Sequence, residues 1–284
     1  MNGVWTGEPG WSGSWIDTSV SLALNGDVRI FDLAVRLEAG MARHPHHPEF
    51  RFEMVKRHGP GGPYKYGVTA ANERISLGAH VGTHVDGFGH VAHDELVLGG
   101  RKVATGDALD GGLDVGSIEE TGPIIGPGHL LDGEALFGRQ LTAADSFGPD
   151  ELEEWFSSHA PPEPGSIFLL RTGQMRWWAD PERYIGLSTG LPGVTLDGAR
   201  WLSDRGVIAV GSDTMNFEHK PSSEIINLPV HVHLLVERGI PIMESMNLEA
   251  LAQSGATDFG FIAVPLRIAG ATGSPIRPLA IVPR

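Results

Sequence analysis

Helices and strands alternate along this 284-residue chain, which predicts an α/β or mixed α+β fold. Three features carry that expectation. Short runs of consecutive apolar residues are bounded by turn residues. Other stretches open on a capping residue and close on glycine. The 39 glycines and 20 prolines punctuate the chain into many short elements.

Residues 1–20 are rich in Gly, Trp and Ser without periodicity and read as an N-terminal arm. Gly59 to Gly67 (GPGGPYKYG) is a loop. Ser166 to Leu170 (SIFLL), after the turn Pro164-Gly165, reads as a short buried strand. Thr195 caps a helix running to Arg205, and Gly206 stops it. Val207 to Val210 is another buried strand. Pro229 suits the first turn of a helix that ends at Gly239. Ile240 to Met243 is a strand, Asn247 caps a short helix, and Phe259 to Val264 returns as a strand. No internal repeat or low-complexity linker interrupts this order, so one domain spanning residues 1–284 is expected.

Composition excludes several function classes. The formal net charge is −14 and the Lys and Arg residues are scattered, so there is no positive footprint for nucleic acid or anionic lipid. The absence of cysteine rules out disulfides, thiolate metal sites and a cysteine nucleophile. The opening residues lack the basic start and apolar core of a signal peptide, and no apolar run reaches the length of a membrane span, so a cytoplasmic location is expected.

The window His80 to His93 (HVGTHVDGFGHVAH) holds four of the 13 histidines. Val81, Thr83 and Val85 favour an extended strand, in which His80, Gly82, His84 and Asp86 share one face. Gly82 would leave space for an ion between the imidazoles. Two neutral imidazoles and a carboxylate suit Zn²⁺, Mn²⁺ or Fe²⁺ and leave coordination positions open. Burying these groups on one strand face without a cation or a polar network would be unfavourable. A turn at Gly87-Phe88-Gly89 could swing His90 over the ion as a proton carrier. His93, beside Asp94 and Glu95, reads as exposed. The prolines in Arg43-His44-Pro45-His46-His47-Pro48 mark a loop, structural or facing substrate.

In Pro229 to Glu244, His231, His233 and Glu237 match the His-x-His-x3-Glu spacing of cupin barrels, which would make the chain a non-hydrolytic metal protein. The Pro229 start and Gly239 stop favour a helix instead. Residues two apart on a helix point about 200° apart, so only one of the two histidines can reach a site. Glu244 would arrive from the following strand.

HVGTHVDGFGH resembles the His-x-Gly-Thr-His-x-Asp-x-x-x-His signature of the metal-dependent cyclase-like hydrolases, which include bacterial kynurenine formamidases and isatin hydrolases. Further likeness lies in Phe31-Asp32-Leu33 to Gly40-Met41, Val210 to Thr214, Pro229-Val230-His231, Ile242-Met243-Glu244 and Gly273 to Arg277. The resemblance implies an α/β fold with a mixed sheet flanked by helices in a homo-oligomer. It implies His80, His84 and Asp86 as metal ligands, His231 and Glu244 as completing a second metal position, and His90 as the catalytic histidine. Zn²⁺ or Mn²⁺ is the expected ion. Two departures stand out. Gly87-Phe88 replaces the family's Ala-Pro, and the spacing from His231 to Glu244 is one residue longer, which leaves His231 and His233 both open as the downstream ligand.

The expected chemistry is hydrolysis of an amide, formamide, cyclic amide or lactone in a small molecule, with His90 relaying a proton. No Gly-x-Ser-x-Gly elbow and no phosphate-binding glycine loop occurs. Phe88 and the Trp177-Trp178 pair could line an aromatic pocket, although core packing is the commoner role of such residues.

Overall fold

The computed structural model describes residues 26–60, 64–106, 110–221 and 227–284. The expected arm at residues 1–20 and the centre of the Gly59–Gly67 loop lie outside them. The central sheet is built from β1 (Val28–Asp32), β2 (His84–Asp86), β3 (Ile124–Asp132), β4 (Ile167–Arg171), β5 (Ala209–Ser212), β6 (Ile242–Glu244), β7 (Asp258–Ala263), β8 (Gly273–Pro275) and β9 (Leu279–Pro283). Their spatial order is β1-β9-β7-β3-β4-β5-β6-β2-β8. The four central strands β3, β4, β5 and β6 run parallel. Antiparallel strands extend the sheet on both sides. The sheet is therefore mixed, as expected.

Parallel neighbours require crossovers, and each one here carries a helix. Pro149–Phe156 links β3 to β4, Leu196–Asp204 links β4 to β5, and a helical segment over 229–238 links β5 to β6. The period-2 alternation of β4 explains the uninterrupted apolar run in its sequence. Phe168 and Leu170 pack with Leu152, Trp155, Leu202 and Leu234 from those helices. Ile167 and Leu169 point the other way, onto Met243, Phe259, Phe261 and Leu251. All five residues of β4 are buried: Ile167 to Leu170 fill the apolar layers on both faces, and Arg171 at the strand's end is paired with Asp132, Glu134 and Glu249.

The helix ends follow the expected chemistry. Thr195 Oγ1 accepts the Gly198 N–H at 3.1 Å, and Gly206 takes the left-handed φ of +78° that ends the segment. Pro229 occupies the first turn of its helix, and Gly239 closes it at φ +67°. Past His231 this helix widens to π geometry over Val232–Arg238. Strand boundaries move by one or two residues from the sequence reading, because ladder pairing rather than apolarity decides where a strand ends. The cap of the short helix Glu249–Gln253 is a correction: Leu248 is its N-cap, and Asn247 contributes only a 3.4 Å contact from the Glu249 N–H.

Candidate metal centre

The histidine-rich window is not one strand, which corrects the expectation of a shared face from His80 to Asp86. Only His84–Asp86 pairs in the sheet, between β6 and β8. Within that short strand the parity argument holds. Val85 enters the core, while His84 and Asp86 share the opposite face. Residues 79–83 form a turn. Gly82 adopts φ +71°, and a Cβ there would meet Leu37 at 2.6 Å. Its glycine thus serves the turn rather than clearing space between imidazoles. Thr83 pins the turn: its hydroxyl donates to the Ser245 carbonyl at 2.7 Å and accepts the Val35 N–H at 2.9 Å.

The turn, not the strand, returns His80 to Asp86. His80 Nδ1 lies 2.7 Å from Asp86 Oδ1, and its Nε2 lies 2.8 Å from Thr272 Oγ1. Gly273 allows this approach, since a Cβ there would sit 2.6 Å from His80 Cε1. His84 donates from Nδ1 to the Gly82 carbonyl at 2.8 Å, which leaves Nε2 as the nitrogen facing the site. That nitrogen is 3.6 Å from Asp86 Oδ1 and 3.4 Å from Glu244 Oε2. Burial opposes charge on the His84 ring, but Glu244 and Asp86 hold its pKa above the ordinary value.

Glu244 ends β6 in direct register with His84, so sheet pairing alone brings them together. Ser245 follows with the left-handed φ of +54°, held by its N–H to the Thr214 carbonyl. His231 enters from the first turn of its helix. Its Nε2 is 3.2 Å from Glu244 Oε1 and 3.9 Å from Asp86 Oδ2. His233 points elsewhere, with Nε2 3.0 Å from Ser203 Oγ and Nδ1 2.7 Å from Glu237 Oε2. This resolves the choice between the two histidines in favour of His231 at the site. It also removes the cupin arrangement, which needs both on one strand face.

Two donor groups result, His80/His84/Asp86 and Asp86/His231/Glu244, each with its donor atoms within 4.8 Å of one another. Asp86 belongs to both. Asp86 Oδ2 is buried without a hydrogen-bond partner, an orphan of the kind a cation satisfies. The donors are imidazoles and carboxylates, which fit a borderline divalent ion. Burial opposes ionisation of Asp86, but the imidazoles of His90, His80 and His84 hold its carboxyl well below the usual carboxylate range. Burial and the nearby Asp86 carboxylate both act to raise the Glu244 carboxyl. Hydrogen bonds to His231 and His84 nonetheless leave it below its ordinary value.

His90 arrives as expected through the Gly87-Phe88-Gly89 turn, closed by its N–H to the Gly87 carbonyl at 3.0 Å. Its ring stacks on His80 with centroids 3.8 Å apart. Burial pushes its pKa down to about 4 against the pull of Asp86, so the imidazole is neutral and able to accept a proton at neutral pH. These groups open into a cavity of about 360 Å³, whose outer wall includes His44, His47, Asn216, His219 and Lys220.

His44 and His47 therefore resolve the loop reading in favour of a cavity-facing role, whereas His46 and His93 are exposed. Trp177 and Trp178 pack with Val35, Met175 and Tyr184, and Phe88 does not line the cavity. Sequence reasoning missed Glu218, which accepts both the backbone N–H and the ring Nδ1 of His231, and Thr272, which holds His80. Neither carries a spacing signal, because only tertiary packing brings them near the ligands.

The Cyclase family model matches residues 31–219, a span that includes the signature and Glu218. The kynurenine formamidase of Bacillus cereus is 29% identical over 223 residues, covering 76% of this chain and 86% of that protein. The kynurenine formamidase of Bacillus anthracis is 26% identical over 266 residues, covering 93% and 95%. A crystal structure described as a novel cyclase superposes with a TM-score of 0.79 at 25% identity, covering 92% of this chain and 89% of that one. Isatin hydrolase A from Ralstonia solanacearum shares the fold, with a TM-score of 0.74 at 21% identity, covering 94% and 97%. With the match extending over well more than half of the chain and the whole signature, this chain belongs to the Cyclase family.

Proposed function

We propose that this chain is a metal-dependent hydrolase that cleaves the C–N bond of a small amide, formamide or cyclic amide. The observation that carries the reading is the orphaned Oδ2 of Asp86, shared by two imidazole–carboxylate groups whose His80, His84, His231 and Glu244 line a cavity together with His90. His80, His84 and Asp86 would hold one ion, and Asp86, His231 and Glu244 a second. Zn²⁺ or Mn²⁺ suits these donors. A bound ion supplies an acidified water and polarises the scissile carbonyl.

The chain's own residues do the rest. The neutral His90 ring accepts a proton from the attacking water and returns it to the departing nitrogen. Burial keeps that ring free of a resting proton, so it is ready to accept one. The cavity volume suits a small molecule with a single ring system. The names of the relatives, kynurenine formamidase and isatin hydrolase, support aryl formamides and aryl lactams as the first substrates to try.

The reading extends to one domain over residues 1–284, a homo-oligomer and a cytoplasmic location. Family resemblance supports the oligomer. Among the described residues no helix is long and apolar enough to cross a membrane. Size-exclusion chromatography tests the oligomer. The reaction is tested by stripping metal with a chelator, adding back Mn²⁺ or Zn²⁺, and assaying N-formyl aromatics, isatin-like lactams and small lactones. Metal-restored hydrolysis of an amide is expected. Equal turnover by metal-free protein would overturn the reading.

A further inference from the structure

We infer that Glu218 is a positioning residue for the second ion position. It fixes the ring of His231 so that Nε2, the nitrogen facing Asp86 and Glu244, is the one that would bind the ion. This inference rests on the metal-hydrolase reading above and deepens it.

Glu218 Oε2 accepts the His231 backbone N–H at 3.1 Å and the ring Nδ1–H at 2.5 Å. A single carboxylate oxygen thus ties the ring to its own main chain and leaves little freedom about the side-chain torsions. Both residues are buried, at 2% and 4% exposure, so water does not compete for the ring proton. With Nδ1 donating, a neutral imidazole has its lone pair at Nε2, the nitrogen that faces Glu244 and Asp86. The other site histidines are held differently. His84 donates to a backbone carbonyl, and the outer nitrogen of His80 meets a hydroxyl. Among these three imidazoles, only His231 has a carboxylate outside the two donor groups as its outer partner.

Glu218 is itself fixed from behind. The Val194 N–H donates to the Phe217 carbonyl at 3.1 Å, and the His219 N–H to the Val194 carbonyl at 2.9 Å. These bonds clamp the main chain on both sides of Glu218. The approach is so close that a Cβ on Gly193 would lie 2.5 Å from the Glu218 carbonyl carbon. The sequence therefore builds a support whose only polar output is toward His231 among the described contacts.

The test compares wild type, Glu218→Gln and Glu218→Ala, stripped of metal and titrated with Zn²⁺ against a chromophoric chelator. Circular dichroism monitors folding. Wild type is expected to take two ions per chain. In Glu218→Gln one ion should bind as in wild type, while the other weakens on the order of 10–100-fold. Glu218→Ala should weaken it further. In the Zn²⁺-loaded protein, the downfield Nδ1–H proton resonance of His231 should be present in wild type and lost in Glu218→Ala. Two ions bound with wild-type affinity by both variants would overturn the inference. So would a single wild-type ion unaffected by Glu218→Ala, although the hydrolase reading would then survive. A wild-type protein that takes up no ion would overturn both.

Discussion

The imidazole of His90 lies stacked on that of His80, with ring centroids 3.8 Å apart and planes 27° from parallel. One ring belongs to a donor group and the other to neither, although both face the same cavity. Their roles should separate on mutation. His84→Ala removes a donor, so metal content and activity should fall together. His90→Ala should keep near-normal metal content while kcat falls on the order of 10²–10⁴-fold. Metal analysis and kcat on both variants decide this. Loss of metal from His90→Ala would make His90 a ligand and leave Glu244 as the next proton carrier to examine.

The two histidines of the 229–238 segment should behave unequally. His231→Ala removes a donor shared with Asp86 and Glu244 and should lower metal occupancy to near one ion per chain. His233 bonds Ser203 and Glu237 on the far side of the helix, so His233→Ala should leave occupancy unchanged. Its stability should drop by about 1–3 kcal/mol, the usual net worth of two hydrogen bonds. Equal and severe metal loss from both would contradict the helical placement.

Metal uptake should displace a proton from His231. Burial opposes the charged ring, yet hydrogen bonds to Glu218 and then Glu244 push its pKa up to about 10 in the metal-free protein. A raised pKa contributes stability that is fully present below the unfolded value of about 6.5 and is lost as pH rises through about 10. The melting temperature of metal-free protein should therefore decline over that window more steeply than that of His231→Ala. At pH 8, calorimetric titration with Zn²⁺ in buffers of different ionisation enthalpy should register at least one proton released per chain. No release at that pH would show that the ring is already neutral.

Gly273→Ala tests the fit between β8 and the site. A Cβ there would sit 2.6 Å from His80 Cε1 and 2.8 Å from the Val85 carbonyl oxygen, so the ring or the strand must move. The expected loss is about 1–3 kcal/mol of stability, typical of overpacking, with reduced occupancy of the His80/His84/Asp86 position. Thermal melts and metal analysis check both. Wild-type values would mean that His80 can swing aside without consequence.

The local chemistry of this protein is written in its sequence. The apolar run at β4, the Thr195 cap, and the Pro229 and Gly239 ends of a helix are short-range facts, and they correctly separated His231 from His233. The clustering of His80, His84 and Asp86 in one short window marked them as candidate metal donors, because imidazoles and a carboxylate so close together need a cation or a network. The geometry that joins those donors was decided by tertiary structure. His80 reaches Asp86 through a turn held by Thr83 and Ser245, 162 residues apart, and by Gly82 in a left-handed conformation. Glu244 meets His84 through strand pairing, and Glu218 meets His231 through a support centred on Gly193. Such contacts leave no periodic trace, because pairing register and close backbone approach depend on residues far apart in the chain.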